Sequence, residues 1–152
     1  MALKTGLTLL VLFLSVMQTA CADTAETKIR WMGYDAAREQ QPPVDKKLFI
    51  YFSSVNCGYC RKMEKEVFSR DDIADYINAN YTPVQVDIDR NRKLAMQFGV
   101  QGVPDLRFLT PQGEAIARWP GYTEAKHLLA MLKYVDTDSY LKMGFQEFIK
   151  QQ

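Results

Sequence analysis

The chain has 152 residues, of which 47% are hydrophobic and 24% charged, so its length and composition fit one soluble globular domain. Its 19 lysines and arginines nearly balance its 18 aspartates and glutamates, and no block of like charge stands out. Binding to nucleic acid or to an anionic surface is therefore not indicated, and we expect function to come from a local site.

Residues 1–22 have the layout of a secretory signal peptide. Lys4 is their only charged residue, residues 7–16 are almost wholly apolar, and Ala20-x-Ala22 provides a cleavage pattern. The apolar run is too short for a comfortable membrane span, and a buried N-terminal helix is the less favoured alternative. We predict cleavage after Ala22 and export, most naturally to a bacterial periplasm.

Cys21 provides a second interpretation of this segment, in which a lipid on the cysteine anchors the protein to a membrane. The residue three positions earlier is Gln18, whereas lipoprotein signals carry an aliphatic residue at that position. If cleavage follows Ala22, the mature chain keeps only Cys57 and Cys60. Two cysteines alone in an exported protein favour redox chemistry.

Residues 23–43 are predicted to form an N-terminal extension with a short amphipathic helix. Ile29, Trp31 and Ala37 are among its apolar positions, and Pro42 is expected to end it. The domain itself is predicted to span residues 44–152.

The stretch around Cys57-Gly58-Tyr59-Cys60 carries the chemistry. It follows an apolar run, Leu48 to Phe52, that predicts a buried strand, and it opens a helix-compatible segment. A cysteine at a helix start lies near unpaired backbone N–H groups, which favour the nucleophilic thiolate. The second thiol, one turn on, can displace a mixed disulfide. The same spacing is half of a zinc site, so the motif alone leaves redox and metal chemistry open.

A periplasmic copper-binding or carrier protein is the alternative function, because thiolates select Cu(I) and zinc. A closed site needs about four ligands. The only histidine, His127, lies far along the chain, and Met63 fits the apolar stripe of the helix after Cys60. We therefore expect neither a metal nor another cofactor.

The rest of the chain alternates helices and strands. A strand is predicted at 82–88, a hairpin at 105–109 and 114–119, and helices at 69–80, 90–98, 123–135 and 140–149, with Ser69 and Thr123 as N-caps. This order gives a parallel strand pair joined by the helix after Cys60, followed by an antiparallel hairpin. The predicted class is α/β, with a mixed sheet flanked by helices.

Three motifs together resemble the thioredoxin superfamily over residues 48–135. They are the C-x-x-C at a strand-to-helix turn, Gly102-Val103-Pro104 placed 47 residues after Cys57, and Gly121 between the last strand and the last core helix. The resemblance implies a three-layer fold to which the 140–149 helix is an addition. It also implies a cis bond before Pro104.

The resemblance further implies a thiol–disulfide oxidoreductase that reduces or isomerises protein disulfides. Cys57 and Cys60 would be the catalytic pair and the redox disulfide, and the substrate would be bound by Gly58, Tyr59, Val103 and Pro104. The implied partners are protein thiol or disulfide substrates and an upstream membrane or soluble thiol donor. We expect a monomer. Intact cysteines argue against a purely non-catalytic binding module.

The chain departs from the family pattern at three positions. Tyr51 stands where thioredoxin has a buried aspartate, Gln85 where it has the paired lysine, and Asn56 where it has a tryptophan. Glu64 and Asp87 are the candidates to replace the buried acid, although a solvated surface position is expected for both.

Overall fold

The computed structural model describes residues 28–40 and 46–151. The predicted signal peptide, Cys21 and the predicted helix end at Pro42 lie outside these ranges. The described elements are α1 (Tyr34–Glu39), β1 (Lys47–Ser53), α2 (Gly58–Met63), a π-helical segment (Glu64–Phe68), α3 (Asp71–Asn80), β2 (Tyr81–Asp87), α4 (Arg92–Gln97), β3 (Asp105–Leu109), β4 (Ala115–Pro120), α5 (Ala125–Asp136), a 3₁₀ turn (Ser139–Leu141) and α6 (Phe145–Lys150).

The four strands form one mixed sheet in the order β2-β1-β3-β4. β1 runs parallel to β2 and antiparallel to β3, and β3 pairs antiparallel with β4. Helices cover both faces, so the predicted α/β class and the three-layer arrangement are confirmed. Strand β1 is central and buried on both faces, which explains why its sequence is a continuous apolar run.

Successive side chains of β1 point into two different cores. Phe49 and Tyr51 join the apolar faces of α2, α3 and α5. Leu48, Ile50 and Phe52 join those of α1 and α4. The period of two along the strand therefore decides that Tyr51 faces the helix that carries the cysteines.

An aromatic cluster fixes that helix against the sheet. The rings of Tyr51 and Phe68 lie 4.9 Å apart edge to face, and Trp31 lies 5.7 Å from Tyr51 and 5.3 Å from Phe68. Aromatic pairs in this range each contribute about 0.5–1.5 kcal/mol beyond the burial of their area. The end of the helix is thus anchored from both the sheet and the N-terminal extension.

The N-terminal extension differs from its prediction. Its helix begins only at Tyr34, and Met32 instead pairs with the outer edge of β2. The Met32 N–H donates to the Pro83 carbonyl at 3.1 Å, and the Gln85 N–H donates to the Met32 carbonyl at 3.0 Å. The open edge of a strand offers backbone partners that no local helical pattern reveals.

Both predicted N-caps are wrong by one residue. The N-cap of α3 is Arg70, and that of α5 is Glu124, each without a side-chain capping bond. Ser69 instead ends the π-helical segment, and its hydroxyl donates to the Lys65 carbonyl at 2.6 Å. The π-helical segment continues α2 through Phe68, so α3 starts later than the sequence indicates.

The predicted helix at 140–149 is divided in two, although a C-terminal α-helix is present. A 3₁₀ turn is followed by α6, whose N-cap is Gly144 in an extended conformation. The Tyr134 hydroxyl donates to the Met143 carbonyl at 2.6 Å, and the rings of Phe145 and Phe148 pack on Tyr134. Across the described part of the chain, no helix has the length and apolar character needed to cross a membrane.

Candidate functional site

The two cysteines meet where β1 passes into α2. Cys57 is the N-cap of α2, and its sulfur lies at disulfide-bonding distance from that of Cys60, with the Cα atoms 5.2 Å apart. The backbone N–H of Cys60 donates to the Cys57 sulfur at 3.0 Å. The first N–H groups of a helix have no partner within the helix, and here the N–H of Cys60 points at the Cys57 sulfur, as the sequence predicted. This geometry allows the two sulfurs to form a disulfide.

The two sulfurs differ in access to solvent. Cys57 is half-buried at the surface, whereas only 1% of Cys60 is exposed. Cys60 packs with Met63 and Val67 on the inner side of the redox helix, which comprises residues 58–68. An incoming molecule can approach Cys57 without disturbing the core, but it cannot reach Cys60 directly.

The loop before β3 lies against Cys57. The Val103 carbonyl oxygen is 3.4 Å from the Cys57 sulfur, and the Val103–Pro104 peptide bond is cis. The Gly121 N–H donates to the Pro104 carbonyl at 2.7 Å, and Gly121 has a φ of +91°, which favours glycine. These contacts bring together Cys57, Val103 and Gly121, which are far apart in the sequence.

An aromatic rim borders the cysteines. Tyr59 is 65% exposed, and its ring lies 6.3 Å from that of Tyr122. Lys62 Nζ lies 4.6 Å from the Tyr122 ring centroid, and the Tyr122 hydroxyl donates to Glu66 at 3.1 Å. Tyr122 was not identified from the sequence. The available signal in the sequence was its position directly after Gly121, one of the three motifs of the family resemblance.

Arg61 is exposed but does not simply extend into solvent. Its Nη1 donates to the Val55 carbonyl at 3.0 Å, in the loop that precedes Cys57. The guanidinium group therefore fastens the redox helix to that loop, which helps to hold Cys57 at its place.

Behind Cys60 lies a polar contact that the sequence analysis did not predict. The Tyr51 hydroxyl is 3.2 Å from a Glu64 carboxylate oxygen and 3.4 Å from the Cys60 carbonyl oxygen. Burial, and to a smaller extent the Glu64 carboxylate, raises the pKa of Tyr51 far above its ordinary value. Glu64 is half-buried rather than fully solvated as expected.

A cleft of about 650 Å³ opens beside this contact. It lies at the carboxyl ends of β1 and β2, and its charged lining groups are Arg61, Glu64, Asp87 and Arg90. Asp87, the other candidate to replace the buried acid, forms an ion pair with Arg90 at 3.5 Å. Gln85 donates to the Ser53 hydroxyl at 3.4 Å.

No group of three or more histidine, cysteine, aspartate or glutamate side chains that could hold a metal occurs within residues 28–40 and 46–151. His127 lies between Trp119 and Phe145, with ring centroids 4.8 and 5.2 Å away. His127, on α5, is therefore in contact with two aromatic rings.

The family model of the thioredoxin-like domain matches residues 34–136, more than half of the chain. The chain belongs to the thioredoxin-like domain family. Together with the cysteine pair at disulfide distance, this membership supports a thiol–disulfide oxidoreductase.

Curated relatives of this thioredoxin-like protein are distant in sequence. It is 24% identical over 106 residues to the disulfide bond reductase DsbH of Chlamydia pneumoniae, covering 62% of this chain and 64% of that protein. It is 28% identical over 91 residues to the protein disulfide isomerase-like 1-1 of Arabidopsis thaliana, covering 57% of this chain and 18% of the relative. The alignments span less than two thirds of the length of either relative.

Solved structures share the fold of this thioredoxin-like protein. A thioredoxin-fold protein from Helicobacter pylori superimposes with a TM-score of 0.67 at 19% identity, covering 85% of this chain and 94% of the other. A thioredoxin from Thermus thermophilus gives 0.63 at 26% identity, with coverages of 71% and 87%. A DsbH oxidoreductase gives 0.58 at 23% identity, with coverages of 76% and 86%.

Proposed function

We propose that the protein reduces or isomerises disulfides of other exported proteins through Cys57 and Cys60. The observation that carries the proposal is the asymmetry of the pair. Cys57 is accessible at the helix start beside the Val103 carbonyl, and Cys60 is buried one turn behind it. An accessible attacking thiol with a protected resolving thiol is the arrangement that disulfide exchange requires.

In the reduced protein, the Cys57 thiolate attacks one sulfur of a substrate disulfide. A bond forms between Cys57 and that sulfur, and the other substrate sulfur leaves as a thiolate and takes a proton from solvent. Cys60 then loses its proton and attacks the Cys57 sulfur, so that the mixed disulfide breaks and the second substrate thiol is released. The substrate gains two electrons and two protons, and the protein ends with the Cys57–Cys60 disulfide.

The substrate is an extended polypeptide that lies across the sulfurs. Val103 is outside the strands, and its main chain faces Cys57, where it can pair with such a peptide. Gly58 leaves space for a close approach, because its Cβ position meets only an arginine side chain at 4.0 Å. Pro104 fixes this loop, and the exposed ring of Tyr59 contacts substrate side chains.

Reduction of substrates is favoured over primary oxidation. The dipeptide between the cysteines carries no positive charge, and the Arg61 guanidinium is held by the Val55 carbonyl. Strong oxidants owe their potential to a stabilised thiolate, and in the described part of the chain neither the dipeptide nor Arg61 supplies a free cation for it. The similarity to a protein named disulfide bond reductase agrees with this direction. A membrane or soluble thiol donor must then regenerate the dithiol.

The proposed setting is the periplasm, with residues 1–22 removed as a signal peptide. Residues 23–43 form the extension, and 44–152 the domain, which acts as a monomer. Intact-mass measurement of the exported form tests this, with an N-terminus at Asp23 expected. A diacylglycerol adduct on Cys21 would instead establish the membrane-anchored form.

Trapping experiments test the division of labour between the cysteines. Cys60→Ser should accumulate disulfide-linked complexes with substrate proteins, because the resolving thiol is absent. Cys57→Ser, the matched control that also leaves one cysteine at the site, should accumulate none. Non-reducing electrophoresis followed by mass spectrometry separates the two variants. Equal trapping by both, or trapping by Cys57→Ser alone, would contradict the proposal.

A further inference from the structure

The cleft of about 650 Å³ at the carboxyl ends of β1 and β2 has no part in the reaction described above. We propose that it binds a small zwitterion, a free amino acid or a short peptide, whose carboxylate contacts Arg61 and whose ammonium group contacts Glu64. Neither cysteine of the redox pair lines the cleft. The inference therefore goes beyond the proposed function and does not depend on it.

The first observation is the position of the cleft in the fold. β1 and β2 are adjacent parallel strands, and the helices that follow them lie on opposite faces of the sheet. Met63 of α2 packs in one core, and Leu94 of α4 packs in the other. Where connections leave neighbouring parallel strands toward opposite faces, a crevice opens beyond the carboxyl ends, and open α/β sheets bind small ligands there. The volume of this cleft is within the range of about 300–1,000 Å³ that is usual for small-molecule sites.

The second observation is that two opposite charges line the cleft without pairing. Arg61 and Glu64 are three residues apart on the redox helix, a spacing at which opposite charges can interact. Within residues 28–40 and 46–151, neither side chain forms an ion pair. A ligand that carries both a carboxylate and an ammonium group can pair with both of them.

The third observation is that an uncharged group holds each of these side chains. Arg61 Nη1 donates to the Val55 carbonyl at 3.0 Å, and the Tyr51 hydroxyl donates to Glu64 at 3.2 Å. A guanidinium group has five N–H donors and a carboxylate accepts several hydrogen bonds, so each can bind a further group. Because both side chains are already positioned, less conformational entropy is lost when a ligand binds.

The rest of the lining also suits a dipolar ligand. Asp87 and Arg90 add one charge of each sign and lie 3.5 Å apart, so the four charged lining groups have no net charge. Ser53 and Gln85, joined by a hydrogen bond of 3.4 Å, add polar groups. Trp31 adds an aromatic side chain, and aromatic rings attract ammonium groups. A purely anionic or purely cationic ligand would be repelled by half of these charges, whereas a zwitterion complements both signs.

An NMR titration of the full chain with the Cys57–Cys60 disulfide intact tests the inference. The probes are L-alanine and L-alanyl-L-alanine, which distinguish a free amino acid from a short peptide. At least one of them should shift the indole N–H signal of Trp31 saturably, with a Kd of about 1 mM or lower. The indole of Trp119, which does not line the cleft, is the internal control and should keep its position. N-acetyl-L-alanine amide, in which both charges are removed, should leave both signals in place.

Variants test the two charged contacts separately. Glu64→Gln and Arg61→Gln should each raise the Kd of the zwitterion about tenfold or more, because each removes a charge-assisted hydrogen bond. The matched controls are Glu66→Gln and Lys62→Gln, the same charge changes at positions of the redox helix that do not line the cleft. Both controls should bind the zwitterion as the wild type does.

Three results would overturn the inference. The first is the absence of a saturable Trp31 shift with either zwitterion up to about 20 mM. The second is an equal shift with the uncharged amide. The third is an unchanged Kd in Glu64→Gln and Arg61→Gln proteins whose thermal unfolding shows that they are folded. The titration involves no disulfide exchange, so failure to trap substrates would refute the proposed function and leave this result standing.

Discussion

Two carboxylates, on opposite faces of the sheet, have very different surroundings in this fold. Asp105, directly after Pro104, is 0% exposed and meets two guanidinium groups. Arg107 Nε lies 2.7 Å and Arg118 Nη2 2.9 Å from its oxygens. Glu64, beside Cys60, has the neutral phenol of Tyr51 as its side-chain partner.

The difference separates a carboxylate that is paired with cations from one that is held by a neutral hydrogen-bond donor. The charge of Asp105 is compensated at once by two cations, which ties β3 to β4 next to the loop that faces Cys57. The charge of Glu64 is only hydrogen-bonded, so its field still reaches neighbouring groups, and the cleft supplies solvent. A fully buried carboxylate needs a cation, as Asp105 has, whereas a half-buried one such as Glu64 can keep its charge where solvent reaches it.

The largest expected effect is on the compensated carboxylate. Asp105→Asn should lower the free energy of unfolding by about 3 kcal/mol, because it leaves two guanidinium groups without their counter-charge. Urea unfolding measures the loss. The control is Asp75→Asn on the exposed face of α3, where less than about 0.5 kcal/mol is expected. A loss below about 1 kcal/mol for Asp105→Asn would mean that the cluster does not stabilise the fold.

A smaller loss is expected on the other face. Tyr51→Phe keeps the ring packing and removes one hydrogen bond to a carboxylate that water can reach, so we expect about 1 kcal/mol. Urea unfolding of Tyr81→Phe is the comparison, since that hydroxyl donates at 2.6 Å to the buried Leu132 carbonyl. If Tyr51→Phe lowered the free energy of unfolding as much as Asp105→Asn, the expected difference between the two carboxylates would be wrong.

The smallest effect is expected for the ion pair of Lys47, which is largely buried, with Asp138, which is half exposed. The hydrogen bond from Lys47 lowers the pKa of Asp138, so the pair stabilises the protein above the unfolded pKa of about 3.9 and the gain is lost as pH falls through the folded pKa. Asp138 is half exposed, which limits the gain to less than about 1 kcal/mol.

Asp138→Asn is a suitable variant because Asp138 has a φ of +55°, which asparagine also adopts. Wild type and variant should differ in unfolding free energy at pH 7, and the difference should disappear in acid, once the pH has fallen below the lowered pKa of Asp138. A difference that persists unchanged in acid would show that the backbone, and not the charge, is responsible.

Local sequence patterns predicted most of the strands and helices. Strand β3 was predicted with its observed bounds, and β1 extends only one residue beyond its prediction at each end. β1 contains a continuous apolar run, and β3 alternates charged and apolar residues between clear ends, so local preference and tertiary context agree in both. The C-x-x-C at the start of α2 was recognised for the same reason.

What the sequence analysis missed depends on partners distant in the chain. Glu64 was expected in solvent because its partner, Tyr51, lies in another element thirteen residues earlier. Met32 was assigned to a helix because the edge of β2 that it joins could not be seen locally. Tyr122 borders the site only because Gly121 turns the chain toward Pro104.

The π-helical segment has a consequence for comparing this chain with its relatives. A π turn accommodates one residue more than an α turn, so it behaves as a single-residue insertion in a continuous helix. The turn separates the phase of Cys57–Met63 from that of Val67 and Phe68. In a sequence alignment with a relative that lacks the turn, the gap belongs within residues 64–68. The residues that match this segment should therefore be assigned by superposing the two structures and not by counting from the second cysteine.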